Sequence, residues 1–147
     1  MPETGFLVNR GPLANVLIGA EVKILAKAMI KQIDRVITDL RHQAQTFRLQ
    51  NSAAVAVGIV GVNHAESYVS YEAERTYPAK PPPSREAPTA VSRLSQGAAG
   101  SYDEFLVLRF RATNVAPYPF EWVDERDTQQ SYAAAVLRIA QLFESRF

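Results

Sequence analysis

Glu21 and Lys23 stand two residues apart at the end of an apolar run, Val16-Leu17-Ile18-Gly19-Ala20. On a β-strand that spacing turns both side chains to one face, about 6.6 Å apart at roughly 3.3 Å per residue. Val22 then turns the other way, into the core. A glutamate so placed can hold a magnesium ion, which takes oxygen ligands and keeps several of its waters. A lysine beside it can orient or help deprotonate an attacking water and neutralise charge developing in the transition state. Together they suit metal-assisted hydrolysis of a phosphodiester. A plain charge pair at a strand end is the alternative, because charged triplets are common on solvated surfaces.

Other chemistry-bearing residues are sparser. Lys23, Lys27, Lys31 and Arg35 recur every four residues, which on a helix makes one basic stripe. Lys27, Lys31 and Arg35 are thus candidates for contact with nucleic-acid phosphates, or else a solvated helix face. Gln32 and Gln43 fall in the same segment as candidate polar accessories near the site. His64 and Glu66 follow an apolar strand, where α/β sheets often place binding groups, although a lone histidine there is more often a hydrogen-bonded structural residue. Arg109 and Arg111 alternate on a later strand, and with Asp103 and Glu104 before them they suggest a salt-bridged surface. Tyr118, Phe120 and Trp122, interleaved with Pro117 and Pro119, suit a lid over the core, a subunit contact or a platform on which bases stack. Ser67 and Ser70 lack a glycine elbow, and no glycine-rich phosphate loop is present.

The elements that must position these residues follow from periodicity. Gly5 to Lys23 reads as a hairpin, with Asn9-Arg10-Gly11-Pro12 as its turn and Ala14 to Lys23 as its second arm. From about Ile24 to Leu49, Met29, Ile33, Val36, Ile37, Leu40, Ala44 and Phe47 recur at steps of three and four, which predicts a long helix. Ala53 to Val62 is a near-continuous apolar run, expected as a strand buried on both faces. Five of the nine prolines fall between Glu72 and Gly100, predicting a loop or polyproline-like excursion at about 75–100, with a short helix over Thr89 to Gln96. Phe105 to Ala112 reads as a strand. A last helix, capped by Asp127 or Thr128, is expected to bury Tyr132, Val136, Ile139, Leu142 and Phe143. The order predicts one α/β domain over 1–147, a small mixed sheet with helices packed on it.

On these residues the chain resembles the PD-(D/E)XK nuclease superfamily, which includes many restriction endonucleases. The resemblance spans Pro2 to Asn63: a hairpin whose second arm ends in Glu21-Val22-Lys23, a long helix, then the apolar strand. Pro2-Glu3 stands where that family has a proline-aspartate pair. The helix and strand that members carry ahead of this acid are missing, so the likeness is to a truncated or degenerate copy. It implies a restriction-endonuclease-like fold and magnesium-dependent cleavage of DNA. Glu3 and Glu21 would be the metal ligands, with Glu21 and Lys23 catalytic. The competing expectation is a non-catalytic, nuclease-derived module that binds DNA or another protein.

Composition narrows the remaining classes. The chain has 147 residues, 47% of them hydrophobic, and a net charge of +1, so nucleic-acid or membrane binding needs a local patch rather than overall charge. It contains no cysteine and two histidines, which excludes disulfides and thiolate sites and argues against structural zinc. No segment is apolar and long enough to span a bilayer, and the first residues do not resemble a signal peptide. A cytoplasmic protein of bacterial type is expected. Exposed apolar loops and the reduced N-terminal part point to a homodimer as one assembly.

Overall fold

A computed structural model describes residues 15–147. Strand β1 (Ile18–Leu25) leads through helix α1 (Met29–Gln50) into strand β2 (Val55–Asn63). Strands β3 (Val69–Glu72) and β4 (Arg75–Pro78) form a separate antiparallel hairpin, followed by helix α2 (Pro83–Gly97). Strand β5 (Glu104–Ala112), strand β6 (Phe120–Trp122) and helix α3 (Glu125–Arg146) complete the chain. The main sheet has the order β1-β2-β5-β6, with the first three strands parallel and β6 antiparallel to β5. The fold is therefore mixed α/β, as the alternation of strand and helix patterns predicts.

Register assigns each side chain to a face. Gly19, Glu21, Lys23 and Leu25 of β1 align with Ala56, Gly58, Val60 and Val62 of β2, and these face α1 and α2. That side is a packed core in which Ile33, Leu40 and Ala44 of α1 meet Ala87, Ala90 and Leu94 of α2 over Val60 and Val62. Gly19 carries no side chain because the Phe47 ring lies where one would be: a Cβ there would sit 2.5 Å from it. On the other face α3 lies over β5 and the start of β2, where Val55, Val57 and Leu106 are buried, and leaves β1 uncovered. Bidentate hydrogen bonds from Arg138 to the buried Glu104, at 2.9 and 2.5 Å, and from Arg146 to Asp103 hold that helix in place.

Several expectations are corrected. The long helix begins at Met29 rather than Ile24, because Ile24 and Leu25 continue β1 in register with Gly61 and Val62. Apolar spacing alone could not separate the strand end from the helix start. Val22 does turn away from Glu21 and Lys23, yet not into a core; it is 57% exposed because nothing described covers that face at β1. The short helix expected over residues 89–96 is present but starts earlier, at Pro83, where composition suggested a loop. Pro83 sits at the first helical position, where its missing N–H costs nothing, and Pro88 lies on the exposed side. Helix α3 is capped by Asp124, whose carboxylate accepts the Asp127 N–H at 2.9 Å. It buries Ala135 alone, leaving Tyr132 and Val136 about half exposed. Ile139, Leu142 and Phe143 are half-buried, and Arg138 and Arg146 pair with Glu104 and Asp103, so ion pairs do part of the work an apolar stripe was expected to do. The first arm of the expected N-terminal hairpin, its turn and Glu3 lie outside the described residues.

Candidate functional site

A groove of about 420 Å³ with mostly apolar walls lies on the open face of the sheet. Its floor is Val22 and Ile24 from β1, Ile59 and Gly61 from β2, and Leu108 and Phe110 from β5. These are the residues that alternation places opposite α1 and α2. Gly61 keeps the floor low, since a Cβ there would meet the Phe110 ring at 3.2 Å. One wall is aromatic. Phe120 stacks on Phe110 with ring centroids 5.3 Å apart, and Trp122 meets Phe120 edge-on at 5.1 Å. Such pairs favour offset and edge-to-face geometry.

The loop between β5 and β6 sets the groove's end. Asn114 and Tyr118 both have φ near +60°, which Asn tolerates and a bulky residue seldom adopts. The Asn114 amide donates to the Val69 carbonyl at 2.8 Å, and the Val69 N–H donates to the Thr113 carbonyl at 3.0 Å, tying this loop to β3. Tyr118 is consequently held out over the groove, 63% exposed.

At the C-terminal ends of the parallel strands, Asn63 is fully buried and uses its whole side chain. Its amide donates to the Ala26 and Ala112 carbonyls at 3.2 and 2.8 Å, and its oxygen accepts the Ala65 and Ala112 N–H groups at 3.0 and 3.1 Å. It thereby binds the ends of β1 and β5 to the turn after β2. His64, next in sequence, has an Nε2 that is buried without a hydrogen-bond partner. Burial, and then the nearby Arg109 and Arg111, hold its pKa below the usual histidine value. The Glu86 carboxylate from α2 accepts the Ile30 N–H at 2.9 Å and so caps α1, whose own N-cap, Ala28, has no side chain able to do so.

The two residues singled out for catalysis lie together on one face of β1, as an ion pair. The Lys23 ammonium lies 3.0 Å from the Glu21 carboxylate, both half-buried on the side of β1 that faces α1. Glu21 also helps push the buried Tyr102 phenol up to about 12, after burial itself, and that hydroxyl donates to the Leu40 carbonyl at 2.6 Å. Among the described residues, no three acidic or histidine side chains converge as a metal centre would require. The basic stripe breaks up at the helix start. Lys23 is on β1, and Lys27, before α1, donates to Ser70, pairs with Glu72 at 3.3 Å and lies over the Tyr77 ring. Lys31 and Arg35 alone share an exposed helical face. Asp103 and Glu104 pair with α3 instead of with the β5 arginines, whereas Arg111 pairs with Glu121 of β6 at 3.3 Å.

No family model, curated protein or solved structure matches the chain. Among the described residues, no helix is long and apolar enough to cross a membrane. Sequence reasoning singled out Tyr118, Phe120 and Trp122 but missed Val22, Ile24, Ile59 and Leu108. The signal was present in Ile18-Gly19-Ala20-Glu21-Val22-Lys23-Ile24, whose even-numbered positions are all apolar. It pointed to a covered face where the structure leaves an open one.

Proposed function

We propose that this chain is a binding module whose groove receives an apolar or aromatic side chain of a protein partner. One observation carries this reading: the groove opens onto a continuous exposed apolar surface, with Val22 57%, Ile24 68%, Tyr118 63% and Phe120 57% exposed. Large exposed apolar patches mark interaction sites, and an aromatic wall suits the buried anchor residues that dominate such contacts. The flat approach over β1 favours a protein partner over a small molecule, which is usually more enclosed. Trp122 is the chain's single tryptophan and lines the groove, so its emission reports occupancy. Selection from displayed peptides should enrich sequences with an aromatic or aliphatic anchor. Their binding should shift Trp122 emission and be lost in Ile24→Asp. Peptides that bind equally well to Ile24→Asp would overturn the assignment.

A second reading, magnesium-dependent hydrolysis of DNA, draws on Glu21 and Lys23 lying on one face of β1 in a parallel strand-helix-strand unit. Glu21 would hold the ion with Glu3, Lys23 would assist the water, and Lys31 and Arg35 would meet phosphates. Either activity is consistent with a cytoplasmic protein. Calorimetric titration of magnesium and manganese into wild type and Glu21→Gln tests this reading, with plasmid nicking run alongside. Metal binding and nicking that vanish in the variant would support it; a folded wild type that takes up neither ion would sink it.

A further inference from the structure

We propose that the outer edge of β1 pairs with the same edge of a second copy of this chain, antiparallel and with Val22 on the two-fold axis. The inference is independent of the groove reading, resting on backbone direction and charge placement along one strand. Among the described residues no strand pairs with that edge, and β1 is the end of the order β1-β2-β5-β6. The Val55 N–H donates to the Leu17 carbonyl. Alternation along a parallel ladder then directs the peptide groups of Gly19, Glu21, Lys23 and Leu25 to β2, leaving those of Ile18, Ala20, Val22 and Ile24 pointing outward. An eight-residue strand with open peptide groups and no proline is a template for another strand.

Register and partner follow from charge. With Val22 opposite Val22 of the second copy, Glu21 of each protomer lies across from Lys23 of the other, twice. Residues whose peptide groups turn toward β2 form the non-hydrogen-bonded pairs of the new ladder, where side chains approach most closely. Centring on Glu21 or Lys23 would instead set like charges opposite, and centring on Ala20 would face the charges with Gly19 and Leu17. On the other face Ala20 meets Ile24 and Val22 meets Val22, covering the side chains exposed by 57% and 68% in the single chain. A two-fold contact of this kind is self-complementary by construction, so the occupant it selects is an identical chain. The two grooves then run side by side across the axis. This pairing and the nuclease reading claim the same two side chains, so the metal titration above judges the one independently of the other.

The test is a charge-swap mixing experiment on the full chain, read by sedimentation at micromolar protein. Wild type should sediment as a dimer. Glu21→Lys alone and Lys23→Glu alone each set like charges across the axis and should sediment as monomers. Mixed in equal amounts the two variants should recover the dimer mass, because each then faces its complement. Circular dichroism checks that both fold, and Val22→Arg, at an exposed position, should independently give monomer. A monomeric wild type overturns the proposal, including the case in which slow amide exchange along β1 shows residues 1–14 of the same chain covering the edge. So does a wild-type dimer that persists in Val22→Arg, or variants that fail to recover the dimer on mixing.

Discussion

The two faces of the main sheet are built from the same three parallel strands yet end in opposite states. Toward α1 and α2, β1 contributes a glycine, an ion pair and one leucine, and two helices close over them. On the other face β1 contributes Ile18, Ala20, Val22 and Ile24, more apolar than its covered side, and no described element closes over them. Burial of apolar area is worth roughly 25 cal/mol per Å², so an uncovered row of aliphatic side chains forgoes stability that the fold could have used. That open apolar row is the surface on which the proposed partner contact rests.

The largest expected contrast is between core and open face. Ile33→Ala, at a fully buried site in α1, should lower unfolding free energy by about 3 kcal/mol in urea titration. Ile24→Ala, at a site 68% exposed, should cost under about 0.5 kcal/mol at concentrations where the chain is monomeric. Equal losses would mean that the open face is covered and that the comparison fails. Next in size, Asn63→Ala removes four hydrogen bonds and strands buried peptide groups at the ends of β1 and β5, for about 2 kcal/mol in the same assay.

Two smaller effects are read by pH. Hydrogen bonding from Arg146 holds the Asp103 carboxyl below its usual range, aided by the Ala56 N–H and opposed by desolvation. Its contribution is present above the unfolded pKa, about 4, and is lost as pH falls through the lower folded value. Asp103→Asn should therefore be less stable at neutral pH and lose less on acidification. The smallest expected change concerns His64, whose folded pKa is lowered by burial and then by Arg109 and Arg111. The unfolded chain takes up a proton there first, so wild type should lose stability as pH falls below about 6.5. His64→Gln should remove that step from the stability profile; an unchanged profile would place the histidine in water.

Much of the architecture was legible in periodicity. The apolar run at residues 53–62, the positions Met29, Ile33, Leu40 and Ala44, and the strand at residues 105–112 all emerge as expected. These are local patterns, and a strand or helix that buries one side must write that side into its own spacing. Misplaced boundaries have an equally local cause: Ile24 and Leu25 satisfy a strand and a helix alike, and Pro83 reads as a break until it is seen at the first helical position. The apolar even-numbered residues of β1 were determined by sequence alone, and so was the acid-x-lysine pair on its other side. What lies over each face was decided by the tertiary structure. Whether Val22 meets a core, a groove or a second chain depends on where α3 docks, and α3 docks through Arg138 and Arg146 onto acids from β5 and the turn before it. Those pairs join residues 34 and 43 positions apart, a separation that no local period records.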